Sequence, residues 1–254
     1  MRRLGMVAFG LLFFLGLWQL IILIFGLPRF ILPSPLDVAA AFADHASFIM
    51  GHAAITALEV VVGFVLGCFF GVANALMIIN SAFARRYVFP VLVASQAVPV
   101  FAIAPILTLW FGFGVASKII MTMLVIYFPV TSNFLDGLNR TPQPLLDMAG
   151  VMGGSQRNML IYVRIPMALP SLVSGVRLAA IFAPIGAVVG EWVGASGGLG
   201  YLMLYANGRV KTDLMFAAII TLGILAIIFL QMVQFGLKKS FPWIPQSLME
   251  RKKS

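Results

Sequence analysis

Long apolar runs alternate with short polar segments along this chain. Residues 1–26 hold two arginines followed by about 23 largely apolar residues, and a transmembrane helix needs about 20. The pattern therefore predicts an all-α, polytopic membrane protein with about six spans. The expected spans are residues 1–26, 53–80, 87–110, 117–138, 167–190 and 213–236.

The segments outside the spans suggest a division of the chain into three parts. The apolar part of the first run is longer than the roughly 7–15 residues of a secretory signal peptide, so we expect it to be retained. Residues 36–50 are predicted to form an amphipathic helix at the outer interface. We expect residues 1–52 to form the first span and this outer segment, residues 53–237 the transmembrane domain, and residues 238–254 a basic cytoplasmic tail.

Composition supports a membrane location. The 254 residues are 61% hydrophobic and 10% charged, whereas soluble domains carry about 25% charged residues. The net charge of +9 would suggest nucleic acid in a soluble protein. Because these charges flank apolar spans, they are expected to orient the protein beside anionic lipid, and no nucleic acid partner is expected.

The distribution of Lys and Arg predicts the orientation. With the N-terminus inside, the outer side holds Arg29, Lys118, Arg209 and Lys211, and the other 13 of the 17 basic residues lie inside or at the inner edge. Basic residues concentrate on the cytoplasmic side of membrane proteins. Both termini and the polar segment between the fourth and fifth spans are therefore predicted to be cytoplasmic.

That polar segment, residues 141–166, is expected to fold as a two-helix knob. Thr141 can cap a helix whose first residue is Pro142, and the helix is expected to stop at Gly153-Gly154, since Gly accepts a left-handed conformation. Ser155 can then cap a second short helix, which the pair Arg164 and Pro166 is expected to close.

Small and polar residues inside the spans suggest contacts and a pathway. Gly63, Gly67 and Gly71 form a row that lets helices approach closely in lipid. Ionisable residues in spans usually face a cavity or a partner, which makes Glu59 a candidate for gating or structure. Arg177 can also snorkel to the inner interface, and Glu191 can lie at the outer one beside Trp192.

The broken third span adds further candidates for the pathway. Gln96, Pro99 and Phe101 lie on it, and Asn133 lies in the fourth span. Polar amides near broken helices can present hydrogen bonds to a small polar solute. Adhesion between helices is an equal alternative for these residues.

Several kinds of chemistry are excluded by missing motifs. There is no G-x-x-x-x-G-K-[ST] phosphate loop, so ATP hydrolysis would need another subunit, and this chain is expected to be neither an ATPase nor the holder of a cofactor. There is no H-E-x-x-H motif, and Cys68 stands alone in an apolar run, so no metal site is expected.

Residues 194–198 match G-x-S-x-G, the nucleophile motif of serine hydrolases, but a nucleophile elbow follows a strand, and here a predicted span precedes Ser196. An intramembrane serine hydrolase is thus a remote alternative.

The knob resembles the cytoplasmic "EAA" loop of ABC importer permeases. The resemblance rests on Asp147-x-Ala149-x-x-x-Gly153, with Asp147 in place of the family's leading Glu and Met148 in place of its second small residue. It extends over roughly residues 30–250, through LPSPLDV, QAVPVFAIAPILTLWFGFG and EWVGASGGLGYLM. These stretches are similar to the nitrate/sulfonate/taurine branch, and the last is most similar to permeases for hydroxymethylpyrimidine-type thiamine precursors.

The resemblance implies a type I ABC importer permease of a bacterial cytoplasmic membrane. It implies a homodimer with one pathway at its interface, two copies of a cytoplasmic ATPase, and a periplasmic or lipid-anchored binding protein. The docking surface for the ATPase would be formed by Asp147, Ala149, Gly150, Gly153, Gly154 and Ser155. The rival hypothesis is a self-sufficient secondary transporter or channel, which would move solute without an ATPase.

Overall fold

The computed structural model describes residues 2–244, except for the side chains of residues 2–8 and 11. Within that part every regular element is a helix, as the apolar pattern predicts. In chain order the helices are α1 (Arg2–Phe25), α2 (Pro35–Asp44), α3 (Ala46–Asn80), α4 (Phe89–Ser95), α5 (Val100–Phe111), α6 (Val115–Asn139), α7 (Gln143–Val151), α8 (Gln156–Met159), α9 (Ile165–Trp192), α10 (Leu199–Gly208) and α11 (Thr212–Ser240). Short π-helical turns, Ala84–Val88 and Leu160–Arg164, precede α4 and α9.

The outer amphipathic helix is shorter than predicted. Ser34 caps α2, accepting a hydrogen bond from the Asp37 amide while the Asp37 carboxylate accepts one from the Ser34 amide. The helix ends at Asp44, so the expected extent of residues 36–50 is wrong at its C-terminal end. The apolar run that begins after His45 joins the second span instead, and α3 is 35 residues long.

The centre of the bundle is formed by α3, α6 and α9, and the predicted glycine row lies at its tightest contact. A Cβ on Gly63 would lie 2.5 Å from Thr122 Cβ, and one on Gly71 would lie 2.6 Å from Val130 Cβ. Each glycine therefore removes the side chain that would hold α3 away from α6. Buried Ala179, Ala180 and Ala183 give α9 a similarly small face in this core.

The third predicted span is not a straight helix. Residues Ala84–Ser95 and Val100–Phe111 form a pair of helices bent by 99°. Pro99 starts the second helix, and Pro105 lies within it. Because proline cannot donate a backbone hydrogen bond, the break falls at residues 96–99.

The count of about six spans is only partly matched. Among the described residues, four helices are long and apolar enough to cross a membrane: α3, α6, α11 and the continuous helix Gln156–Trp192; the bent pair brings the number to five. The first predicted span corresponds to α1, which is 24 residues long and whose stretch Leu12–Phe25 is apolar. Of the predicted tail 238–254, residues 245–254 lie outside the described part.

Candidate functional site

The knob begins one residue later than predicted. The first turn of α7 follows Pro142, which occupies the cap position without a side-chain hydrogen bond, and the proline of the first turn is Pro144. Thr141 is not the cap, because its buried hydroxyl donates to the carbonyl of Leu138 at 3.2 Å. That carbonyl lies in the last turn of α6, where helix carbonyls lack partners.

The glycine corner forms as the sequence predicts. α7 ends at Val151, and Gly153 adopts φ +82°, a conformation that favours glycine. The amide of Gly154 donates to the carbonyl of Ala149 at 2.9 Å, and a Cβ on Gly154 would lie 2.7 Å from that oxygen. Ser155 then caps α8 by accepting a hydrogen bond from the Asn158 amide. The corner is therefore built by backbone geometry that larger residues would disturb.

The second helix of the knob does not stop at Arg164 and Pro166, so that prediction is wrong. α8 continues through the π-helical turn Leu160–Arg164 into α9, giving one helix from Gln156 to Trp192. The wider π-helical turn accommodates the proline, which otherwise clashes with the carbonyl four residues earlier. The knob is thereby joined rigidly to the fifth predicted span.

The exposed tip of the knob is apolar. Val151 is 90% exposed and Met152 is 80% exposed, and Met148 is also exposed. Asp147 beside them accepts a hydrogen bond from Gln143 at 2.9 Å. Val151 and Met152 are not among the residues predicted for the docking surface, although apolar residues beside the glycine pair of a polar segment were a visible signal.

Two predicted pathway residues, Glu59 and Glu191, meet at the opposite end of the bundle. Both are 1% exposed, and their carboxyl groups are within hydrogen-bonding range of each other. The Glu191 carboxylate accepts hydrogen bonds from Thr56 Oγ1 at 2.6 Å and from the Gly200 amide. Glu191 is therefore buried inside the protein, while the neighbouring Trp192 is exposed.

Lys118 completes this outer cluster, which we define as Thr56, Glu59, Lys118 and Glu191. Its side chain is 2% exposed and lines the same small cavity as Glu59, while Nζ donates to the carbonyls of Phe113 at 2.7 Å and Gly194 at 3.0 Å. Lys118 was predicted only to lie on the outer side, and no local sequence pattern marks it as buried.

Ser196 lies beside the outer cluster in a turn between α9 and α10, and it is exposed. No strand precedes it within residues 2–244. His52, the closer histidine in this region, accepts the amide of Gly198 on Nδ1 at 3.0 Å. This nitrogen is therefore already hydrogen-bonded to the backbone of the turn. A glycine-rich turn is sufficient to explain why the sequence matches G-x-S-x-G.

The remaining pathway candidates lie apart from one another. Gln96 is exposed at the helix break, where its amide reaches the hydroxyl of Tyr127 at 3.4 Å, and Phe101 is exposed on α5. Asn133 donates to the carbonyl of Pro129 in its own helix at 2.8 Å. In α9, Nε and Nη2 of Arg177 are buried and find no hydrogen-bond partner among the described residues.

The profile of the family "Binding-protein-dependent transport system inner membrane component" matches residues 63–239. The chain belongs to this family. It is therefore a multi-pass membrane permease subunit of an importer-type ABC transporter, and such a permease works with an ATPase and a binding protein.

Named relatives agree with this assignment. The permease is 50% identical over 208 residues to a probable ABC transporter permease protein of Haemophilus influenzae, covering 82% of this chain and 85% of the relative. It is 36% identical to the formylaminopyrimidine transport permease of Halalkalibacterium halodurans, covering 85% of this chain and 88% of the relative. The same identity relates it to the riboflavin transport system permease of Chloroflexus aurantiacus, over 85% and 82% of the two chains.

Solved structures share the fold. A chain of the inward-facing MetNI methionine ABC transporter aligns with a TM-score of 0.56 at 23% identity, covering 76% of the permease and 92% of that chain. A chain of an amino acid ABC transporter solved with histidines aligns with a TM-score of 0.62 at 15% identity, covering 84% and 98%. The fold is that of type I ABC importer permeases, as the resemblance implies.

Proposed function

We propose that this permease carries a small, flat nitrogen heterocycle across the membrane, with a pyrimidine precursor of thiamine as the best candidate. ATP would be hydrolysed by separate subunits bound at the knob. The solute class is supported by the two relatives at 36% identity, since formylaminopyrimidine and riboflavin both contain a nitrogen heterocycle.

The observation that carries the coupling role is the exposed apolar tip on a rigid corner. Val151 and Met152 expose apolar surface at the end of a short helix whose direction is set by the Gly154 to Ala149 hydrogen bond. Exposed apolar side chains of this kind mark interaction sites. The charge distribution predicts that this tip lies in the cytoplasm, where ATP is found.

The bent helix pair offers a place for the solute. Ser95, Gln96 and Tyr127 form a hydrogen-bonded polar group at the break, and Phe101 and Trp110 are exposed on the following helix. Polar side chains at membrane depth are stable where they face a water-filled cavity or a partner. Aromatic faces would stack on a heterocycle, and a second copy of the chain would enclose the pathway.

A specific observation favours an anionic solute as the second candidate. Arg177 carries buried, unpartnered donors, and a guanidinium group matches a sulfonate or nitrate well. The permease is also 32% identical, over 212 residues, to a putative aliphatic sulfonates permease of Escherichia coli. Taurine, sulfonates and nitrate therefore belong in any test of solute choice.

The partners and the location complete the proposal. Two permease copies would bind two ATPase copies on the inner side, and a periplasmic or lipid-anchored binding protein would deliver the solute on the outer side. The membrane would be a bacterial cytoplasmic membrane, with both termini inside.

Two measurements test the proposal. The cognate binding protein is titrated with pyrimidines, riboflavin, taurine, an alkyl sulfonate and nitrate, and tightest binding of a pyrimidine is expected. The permease is then reconstituted in liposomes, with or without the ATPase and binding protein. Uptake is expected only with both partners and ATP; uptake by the permease alone would instead identify a secondary transporter or channel.

A further inference from the structure

The outer cluster buries three ionisable side chains close together, and burial disfavours the charged form of each. Glu59, Glu191 and Lys118 are each at most 2% exposed, and they come from α3, α9 and α6. Ionised groups buried together are stable when their charges balance and their hydrogen bonds are satisfied. Two carboxylates against one ammonium leave one negative charge unbalanced.

The hydrogen bonds distinguish the two carboxyl groups. Both oxygens of Glu191 accept, from Thr56 Oγ1 and from the amide of Gly200, and the latter amide belongs to the first turn of α10. Helix N-termini stabilise negative charge. In contrast, Glu59 Oε2 has no donor among the described residues and lines a cavity of about 140 Å³ together with Lys118 and Ser196.

We propose that the Glu59–Glu191 pair is a binding site for one proton, and that this proton holds the outer turn 193–200 against the bundle. Glu191 is the ionised member, held by the Thr56 hydroxyl and the Gly200 amide, and Glu59 is the protonated member, donating to Glu191. One bound proton makes the cluster neutral. Its loss would place two negative carboxylates side by side in a buried site, where they repel strongly.

The turn depends on the cluster and on the neighbouring His52 through three successive amides. Gly198 donates to His52 Nδ1, Leu199 donates to Thr56 Oγ1 at 2.8 Å, and Gly200 donates to Glu191. Gly198 has φ +104°, and a Cβ on it would collide with the Glu191 carboxyl group. A shift of Glu191 away from Glu59 therefore breaks the contacts that start α10.

The charged and titratable groups around the site predict the direction of the pH effect. Lys118 faces the pair from α6, and His52 lies on α3 at the other end of the turn. Deprotonation of the pair loosens the turn at higher pH. Protonation of His52 Nδ1 would remove the acceptor for Gly198 and loosen the turn at lower pH, so the two effects have opposite signs.

Hydrogen exchange of the purified permease in lipid nanodiscs tests this proposal without solute or ATPase, so its outcome is independent of the proposed transport function. The measured quantity is the protection factor of amides 198–200, corrected for intrinsic exchange, between pH 6 and 9. For the unaltered chain we expect at least about a tenfold fall in protection with rising pH. Glu59→Gln, which imitates the protonated acid, is expected to retain protection throughout.

Two further variants complete the test. Asp44→Asn removes an exposed outer carboxylate and should leave the profile unchanged. Lys118→Met removes the positive charge that favours deprotonation and also the hydrogen bond to the Gly194 carbonyl of the turn. Protection should therefore be lower at every pH, while the midpoint of the fall moves to higher pH, and this holds even if Glu59→Gln fails to assemble. A flat profile in the unaltered chain, an unchanged pH dependence in Glu59→Gln, or a shift to lower pH in Lys118→Met would each overturn the proposal.

Discussion

Thr56 and Glu191 are 135 positions apart in the chain, and the hydroxyl of Thr56 donates to Glu191 Oε1 at 2.6 Å. The same hydroxyl oxygen accepts the amide of Leu199. One small side chain thus joins α3, α9 and the start of α10. The outer end of the bundle depends on this bridge as much as on apolar packing.

Replacing Thr56 by Val is expected to destabilise the permease. The change keeps the side-chain volume but leaves a buried carboxylate oxygen and a buried amide without partners, which costs about 1–3 kcal/mol per group. Thermal unfolding in detergent measures the effect. Thr56→Ser keeps the hydroxyl and is the matched control; equal melting temperatures for the Val and Ser variants would contradict the role assigned to the bridge.

The contact between α3 and α6 predicts a second effect. A Cβ on Gly71 would lie 2.8 Å from the carbonyl of Tyr127, a backbone atom that cannot rotate away. Gly71→Ala should therefore destabilise the bundle by about 1–3 kcal/mol, the usual cost of overpacking. At Gly223 on α11 no described atom lies within 4 Å of an added Cβ, so Gly223→Ala should melt no earlier than the unaltered chain.

Gly153→Arg should abolish transport and reduce the amount of ATPase that co-purifies with the permease. The φ of +82° makes any side chain costly, and a long one would also hold the partner's surface away. Gly154→Ala should act in the same direction, because the added Cβ meets the Ala149 carbonyl. Uptake is measured in proteoliposomes and ATPase binding by pull-down.

Gly236 on α11 provides the control for the glycine corner. It lies outside the knob, and apart from its own helix backbone no described atom is within 4 Å of an added Cβ. Gly236→Ala should preserve both ATPase binding and transport. Normal uptake by Gly153→Arg, or complete loss in Gly236→Ala, would contradict the coupling geometry.

The apolar tip of the knob makes a separate prediction. Val151→Asp places a charge on a side chain that is 90% exposed, so the fold should be unaffected while binding of the ATPase weakens by at least about tenfold. Leu36→Asp, at an exposed site on α2, tests for a general effect of added charge. Comparable ATPase affinity in both variants would show that the tip does not contact the ATPase.

The cap of α2 predicts a dependence on acid pH. Hydrogen bonds from the Ser34 side chain and backbone lower the pKa of Asp37 below its ordinary 3.8. Since the folded pKa is depressed, the contribution of the cap is present above pH 3.8 and is lost as the pH falls below it. Hydrogen exchange of residues 35–44 should show this loss, and Ser34→Ala should show weak protection already at neutral pH.

Periodicity and turn chemistry predicted much of this fold, and tertiary contacts account for most of the misses. The apolar runs predicted the positions of α3, α6, α9 and α11, because a helix that crosses a bilayer needs about 20 largely apolar residues in a row. The cap at Thr141 was misplaced because its hydroxyl is used by α6, a contact that local letters do not encode. The stop at Pro166 failed because a π-helical turn absorbs the proline.

The candidate site divides in the same way. The glycine corner follows from local backbone preferences and was visible in the sequence. The outer cluster joins Thr56, Lys118 and Glu191 from three helices, and only their packing brings them together. Buried Lys118 looked like an ordinary outer-face charge because neighbouring residues do not reveal which direction a side chain takes.

The continuous helix from Gln156 to Trp192 has a mechanical consequence. Its 37 residues span about 55 Å, so it behaves as a single lever reaching from one face of the membrane to the other. A force applied at the knob would tilt this helix and displace its far end, and any bending would be confined to the π-helical turn Leu160–Arg164 and to Pro170 and Pro184. A conformational change of the ATPase would thus be transmitted to the place where Glu191 contacts the first turn of α10.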